Sequence, residues 1–361
     1  MKVYGASVSY YTGKLETYLR YKAIPYQRIG NPYERATEIK ENIGAIQHPM
    51  VLRDDGRWMS DSTPMILELE KEHPARSVLP TDPRVEFCAH LIEDYADEWL
   101  WRAAMHYRWS YEHDRELLSR ILADELTTHV KAPRFLRRRI VKKRQQTGFV
   151  VNDGVTPSTQ EHVEQGYHRI LELMSQIFEH RQFVLGDAPS LADFGLMGPM
   201  LRHFGQDPTP AEIMRDTAPS VFEWLGRMWN ARKRSGDVGF LSEVSDDLHP
   251  LLQEISETHM VQLVENAKAW HQNKDKFSMS VQGYIYEGLP TSQYRVHCLE
   301  RLRGRFAELS VEAQKSIKPF LPHEAANALW DDSLQIASRY DEAREAPYNK
   351  AINVFRNGVP K

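Results

Sequence analysis

The stretch Gln47-His48-Pro49-Met50-Val51-Leu52, followed at short range by Asp61-Ser62, constrains this chain more than any other. Proline donates no ladder hydrogen bond and belongs at a strand start or edge, and here it leads directly into an apolar strand. A polar turn, Arg53-Asp54-Asp55-Gly56, and a short second strand come next, and Asp61-Ser62 then stands where a helix should begin. A helix start carries free N–H groups and partial positive charge, so it is a ready place for a carboxylate. Strand, turn, strand, acid-serine and helix, in that order, point to a pocket for a small anionic peptide.

The flanking sequence supplies a fold for that pocket. Residues 2–6 read as a short strand, and residues 12–22 have helical spacing through Leu15, Tyr18, Leu19 and Lys22. Residues 24–29 are extended, 34–42 form a polar helix, and 50–52 with 57–59 form a hairpin across Gly56. Residues 64–72 make a third helix with proline in its first turn. This order predicts a small mixed sheet flanked by helices.

At 361 residues the chain has room for two or three cores. A net charge of -4 argues against a nucleic-acid-binding surface. Cys88 and Cys298 have neither metal-ligand nor CxxC spacing, which fits a reduced, cytoplasmic protein. The start of the chain has no apolar signal region, and no apolar run approaches the roughly 20 residues that span a bilayer. No membrane partner is therefore expected. Five histidines of the C-terminal third, His249, His259, His271, His297 and His323, lack ligand spacing, so no metal is expected either.

Residues 77–83 have the proline content of a linker, and helical periodicity sets in from Arg84. Phe87, Leu91, Tyr95, Trp99 and Ala103 recur at four-residue steps. Glu93, Asp94, Asp97 and Glu98 on the same stretch read as a solvated face or as partners of nearby Arg and Lys. Trp101, Met105, Tyr107, Arg108 and Trp109 follow as candidates for an apolar substrate wall, with helix-packing core the competing reading. The dense basic run 134–144 reads as a solvated helix face and 150–159 as a loop. Ser190 with Asp193 is a capping-box-like pair opening an apolar helix. Beyond 235, helices are expected over 251–270 and 294–309 and an apolar element over 319–330, punctuated by Gly236, Gly239, Gly283, Gly288 and Pro290.

Ser9, Lys14, Ile24-Pro25-Tyr26, the His48–Leu52 run and Asp61-Ser62 together resemble the thioredoxin-like domain of the cytosolic glutathione S-transferases. The stretch Phe183-Val184-Leu185-Gly186-Asp187-Ala188-Pro189-Ser190-Leu191-Ala192-Asp193-Phe194, with Pro219, Trp224 and Arg227-Met228, is similar to an element of their helical domain. Tyr10, His48 and Asp61 depart from the commoner Pro, Val and Glu or Gln. The resemblance covers roughly 1–232. It implies an α/β thioredoxin-like glutathione-binding domain over 1–76, an all-α substrate domain over 84–234, and an unusual helical extension over 235–361. It implies glutathione as co-substrate, an electrophilic and largely apolar second substrate, and a homodimer. For the sites it implies Ser9 as the catalytic hydroxyl, with Tyr10, Tyr11, Gln47, His48, Pro49, Asp61 and Ser62 around glutathione. Ser62 would take the γ-glutamyl carboxylate, Asp61 the ammonium, and the His48 backbone at a cis-Pro49 bend the cysteinyl segment. Met105, Tyr107, Arg108 and Trp109 would face the electrophile.

The chemistry has its own logic. A thiol with pKa of about 8.5 is only a few per cent thiolate at neutral pH. A hydroxyl donor beside a helix N-terminus stabilises the thiolate. Ser9, just before a helix, meets both demands; Tyr10 and Tyr11 are rival hydroxyl donors, and Tyr4 reads as core. Three functions stay open: a transferase, a glutathione-dependent lyase, isomerase or ether-cleaving enzyme, and a non-catalytic module of this fold that binds a protein partner.

Overall fold

The computed structural model describes residues 1–232 and 239–352. The boundary between 234 and 235 and the expected break at Gly236 lie outside the described residues.

Four short strands build the N-terminal sheet: β1 (Lys2–Tyr4), β2 (Gln27–Ile29), β3 (Met50–Leu52) and β4 (Trp58–Ser60), in the spatial order β2-β1-β3-β4. β1 is parallel to β2 and antiparallel to β3, and β3 and β4 form the hairpin, with Val51 opposite Met59. Side chains alternate across a strand. Tyr4, Met50 and Trp58 accordingly form one cluster with Ile39 and Ile43, while Val3, Val51 and Met59 join the main core. Three helices flank the sheet: α1 (Tyr10–Tyr21), α2 (Ala36–Ile43) and α3 (Ser62–Glu72).

The helical domain follows. Its first pair is α4 (Pro83–Glu98) and α5 (Leu100–Ser110), and its second is α6 (Glu112–Leu126) and α7 (Arg134–Gln145). The long α8 (Gln160–Phe178), α9 (Leu191–Pro199), α10 (Pro208–Thr217) and α11 (Pro219–Trp229) complete it. Local signals fix the ends. Asp82 accepts from the backbone N–H of Arg84 (2.9 Å) and Val85 (3.3 Å) with Pro83 in the first turn, so α4 starts there. Asp193 is fully buried and accepts from the Ser190 N–H (2.9 Å), the Val184 N–H (3.0 Å) and the Trp224 indole (3.0 Å). The capping pair read from the sequence thus also ties α9 to α11.

The last third adds α12 (His249–Glu257), α13 (His259–His271), α14 (Gln293–Ala307) and α15 (Val311–Ile317), as expected of a helical extension. It also contains a hairpin that the sequence reading omits, β5 (Lys276–Val281) and β6 (Tyr284–Pro290). Its turn is Gln282-Gly283, with φ of 47° and 84°. Two successive positive φ values suit a two-residue hairpin turn, and glycine takes the second at no steric cost.

The extension is keyed to α4 by buried charge. Glu93, Asp94 and Asp97 are 1%, 6% and 7% exposed, so the acidic cluster is not a solvated face. Lys14 of α1 meets Glu93, Asp97 (2.5 Å) and the Thr63 hydroxyl (2.9 Å). Asp94 pairs with His259 Nε2 at 2.7 Å, and Glu98 with Arg295 Nε at 3.1 Å. Burial alone would depress the Lys14 ammonium, but Asp97 and Glu93 outweigh it and hold it above its ordinary value. The chain then returns to the sheet: the Ser60 N–H donates to the Pro347 carbonyl (3.0 Å) and the Ala351 N–H to Ile43 (2.7 Å), covering part of the otherwise free β4 edge.

Candidate functional site at the first helix

Ser9 is the N-cap of α1, half-buried, with extended backbone (φ -81°, ψ 132°). Its side chain makes no bond to the helix N–H groups; instead Oγ accepts from Thr12 Oγ1 at 3.0 Å. The Ser9 hydroxyl proton is thereby left to donate outward, beside the positive end of α1. Gly5 makes the arrangement possible. A Cβ at Gly5 would lie 2.2 Å from Thr12 Oγ1, so only glycine lets Thr12 reach under the β1–α1 loop. The loop is fixed from the helical domain as well. Arg108 donates to the Val8 carbonyl (2.7 Å) and forms a forked pair with Asp207 (2.7 and 2.9 Å).

The two rival phenols are engaged elsewhere. Tyr10 is 2% exposed and donates to the Ala96 carbonyl at 2.5 Å; half-buried Tyr11 donates to the Asp97 carbonyl at 2.9 Å. Burial first, then the nearby carboxylates of Asp97 and Glu98, push both phenols well above their ordinary value. Tyr10 is therefore a strut between α1 and α4, and of the three hydroxyls named from the sequence only that of Ser9 donates to no acceptor among the described residues.

The His48–Pro49 peptide is cis, and Pro49 is buried while Gln47 and His48 are half-buried. Burial, with the Arg144 guanidinium adding to it, lowers the His48 imidazole to about 4, so it is neutral at pH 7. Asp61 and Ser62 open α3. Asp61 sits at φ 69° and accepts from the Thr63 N–H (3.3 Å) and from the Tyr294 hydroxyl of α14 (2.8 Å). Burial raises its carboxyl, opposed by Arg301 and by the Tyr294 bond. Ser62 is 4% exposed and its side chain makes no hydrogen bond among the described residues.

The electrophile wall expected from the sequence is core instead. Met105, Tyr107, Arg108 and Trp109 are 4%, 1%, 3% and 0% exposed. Tyr107 packs on Tyr167 and Phe204 from α8 and the turn after α9, at centroid distances of 5.1 and 6.4 Å, so this face of α5 looks inward. A different aromatic set begins at Tyr11, two residues after Ser9. Tyr11 stacks on Trp101 (5.5 Å, 12°), and Phe149 meets Trp101 edge-on at 5.4 Å; all three are half-buried. Trp101 is one of the wall candidates that follow the periodic stripe in the sequence, whereas Phe149 lies just beyond the basic run and has no periodic neighbour to mark it.

The α6–α7 hairpin leans on the opposite side of the loop. Glu125 accepts from the Ser7 N–H (2.7 Å), Asn31 donates to the Thr128 hydroxyl (2.7 Å), and Tyr33 stacks on His129 at 4.8 Å. A cleft of about 870 Å³ lies elsewhere, along the outer face of α3. Among the described residues no group of His, Cys, Asp and Glu could hold a metal ion, and no helix is long and apolar enough to cross a membrane.

Residues 3–77 match the family model described as the glutathione S-transferase N-terminal domain. No curated protein matches. Among solved structures, a glutathione S-transferase-like protein from Pseudomonas syringae is 18% identical over 71% of this chain and 74% of its own, with a TM-score of 0.43. A glutathione S-transferase from Methylobacterium radiotolerans, solved with glutathione sulfonate, is 19% identical over 68% and 97%, with a TM-score of 0.39. A beta-etherase from Sphingobium sp. strain SYK-6 is 16% identical over 63% and 93%, with a TM-score of 0.44.

Proposed function

From the premise that residues 3–77 are a glutathione S-transferase N-terminal domain, we propose that this chain binds glutathione there and uses its thiolate to attack an electrophile. The observation that carries the reading is Ser9: a half-buried hydroxyl at the tip of α1 whose oxygen accepts from Thr12 and whose own proton is uncommitted. In this reading the glutathione sulfur sits beside Ser9. The hydroxyl donates to it, and the free N–H groups of the first turn of α1 add positive potential, so the thiol loses its proton near neutral pH. Both effects act on the thiolate before attack and fade as the sulfur bonds to carbon and its charge moves to the leaving group or carbonyl. The cysteinyl backbone would run against the His48 backbone, and the γ-glutamyl carboxylate would take the unpartnered Ser62 hydroxyl and the first N–H groups of α3. Gln47 and Pro49 would line the same edge, with the ammonium near Asp61. Tyr11, Trp101 and Phe149 form the apolar wall for the second substrate.

Substitution, addition, isomerisation and ether cleavage all begin from this thiolate, and a substrate panel separates them. The homodimer belongs to the same proposal and is read by light scattering on the purified chain. Calorimetry with glutathione, followed by a thiolate absorbance titration of the complex, tests the central claim. Binding with a thiol pKa below that of free glutathione is expected; a shut site, or a bound thiol with an unshifted pKa, refutes it.

A second reading, a module of this fold that binds a protein partner without catalysis, draws on α7 and its neighbourhood. Val130, Phe135, Leu136, Ile140 and Val151 are 38–68% exposed, five of the eight exposed large apolar side chains among the described residues, and they stand among basic residues. A module of that kind gives neither glutathione heat nor a thiolate signal.

A further inference from the structure

The cleft of about 870 Å³ between α3 and the extension has no part in the thiol chemistry: Ser9, His48 and Ser62 do not line it. The outer face of α3 forms one wall through Pro64, Leu67 and Lys71. Across it, α14 presents His297, Arg301 and Arg305, spaced four residues apart and so on one stripe. Residues 338–346 close a third side.

Of the acids around the cleft, only the exposed Glu342 has no partner among the described residues. Glu70 accepts from the Tyr18 hydroxyl (2.6 Å) and the Val78 N–H (3.0 Å) and meets Lys22 at 2.8 Å. Glu300 accepts from the Ser338 hydroxyl (2.5 Å), and Asp341 from the Glu345 N–H (2.9 Å). Glu68 pairs with Lys71 at 3.1 Å. Arg301 and Arg305 are half-buried, yet neither makes a hydrogen bond or ion pair among the described residues. Asp61 and Glu93 act on Arg301, and Glu86 on Arg305, only through space. Burial and the repulsion of Arg301 both disfavour the charge on Arg305. Two like charges one turn apart on a half-buried face are costly unless an anion lies between them.

We propose that this cleft is a binding site for an organic phosphate, its phosphate held between Arg301 and Arg305 and its apolar body laid on Pro64, Leu67 and Leu79. Two planar guanidinium forks match the geometry of a phosphate, and a phosphate monoester near neutral pH carries close to the two negative charges they offer. The volume falls within the roughly 300–1,000 Å³ of small-molecule sites. A body of one or two rings fits beside the apolar wall. This site is independent of the glutathione reading and stands whether or not that reading holds.

Calorimetric titration of the full chain with phenyl phosphate, phenylacetate and inorganic phosphate tests it. Phenyl phosphate should bind, with at least about tenfold lower affinity for phenylacetate and for inorganic phosphate, which lack the dianion and the ring respectively. Arg305→Met should weaken phenyl phosphate by at least about tenfold, and Arg305→Lys by less. Leu67→Asp, on the opposite wall, is a second variant should Arg305→Met fold poorly, and should weaken it as well. Ser9→Ala should leave the binding unchanged, and saturating glutathione, which reaches α14 only through Asp61 and Tyr294, should shift it by no more than a few-fold and not displace the probe. The proposal is overturned if phenyl phosphate gives no heat at millimolar concentration, if phenylacetate binds equally well, if neither wall variant weakens binding, or if glutathione displaces the probe.

Discussion

Ser9 owes its chemistry to a neighbour. Because Thr12 donates to its oxygen and Gly5 leaves room for Thr12, the hydroxyl proton has no acceptor among the described residues. A hydrogen bond to a charged group contributes about 1.5–3 kcal/mol, against about 0.5–1.5 kcal/mol for a neutral one. Ser9→Ala is therefore expected to lower kcat/KM for glutathione conjugation by about 10- to 100-fold, with a raised thiol pKa in the bound complex. Thr12→Val should cost only a few-fold in the same assay. An unchanged thiol pKa in Ser9→Ala would transfer the role to the helix tip alone. Glu98 is a second residue with a readable signature. Burial, opposed by Arg295, lifts its carboxyl from 4.5 to about 7. The folded state thus keeps a proton that the unfolded chain has already released, so stability falls as pH rises through 4.5 to 7 and stays reduced above. At about 1.36 kcal/mol per pH unit, the loss is up to about 3 kcal/mol. Urea melts at pH 5 and pH 8 should show that slope, and Glu98→Gln should flatten it.

Among elements, α5 shows how packing overrides a surface reading. Arg108 carries the one charge of the expected substrate wall, and it is spent on Asp207 and the Val8 carbonyl. Removing one partner of such a buried pair costs about 3–5 kcal/mol, because the other charge stays buried. Arg108→Met is expected to lower unfolding stability by that order, seen as a reduced urea midpoint at constant m-value. The acid-serine start of α3, the succession of strands and helices along the N-terminal domain and the Ser190–Asp193 cap were legible because each is a local pattern: a polar residue at a helix start, an apolar run bounded by turn residues, proline at an edge. Which face of a helix is buried was not. Glu93, Asp94, Asp97 and Glu98 read in sequence as a solvated face or as partners of nearby Arg and Lys; the partners that make their burial tolerable, Lys14 for Glu93 and Asp97, His259 for Asp94 and Arg295 for Glu98, arrive from distant segments. The β5–β6 hairpin was readable in principle, since Phe277, Met279 and Val281 alternate with polar residues before Gln282-Gly283. The helical segments on either side masked it.

For the molecule as a whole, the extension is part of the core. Leu251, Leu252, Ile255, Leu263, Leu299 and Leu302 lie in one apolar cluster with α4 and α9. A chain ending at 232 would leave Asp94 and Glu98 without their partners and would expose that cluster. It is expected to aggregate or to melt without a cooperative transition, measured by calorimetry against the full chain. The Tyr294 hydroxyl, meanwhile, rests on Asp61 at the head of α3, where the proposed ammonium contact falls. The last third of the chain and an incoming tripeptide would then vie for one carboxylate. By reciprocity, whatever loosens α14 must tighten the tripeptide's grip to the same degree. Tyr294→Phe should therefore raise glutathione affinity while lowering the melting temperature of the free protein, and a ligand-induced change in protection of α14 amides from hydrogen exchange would reveal the same trade from the other side.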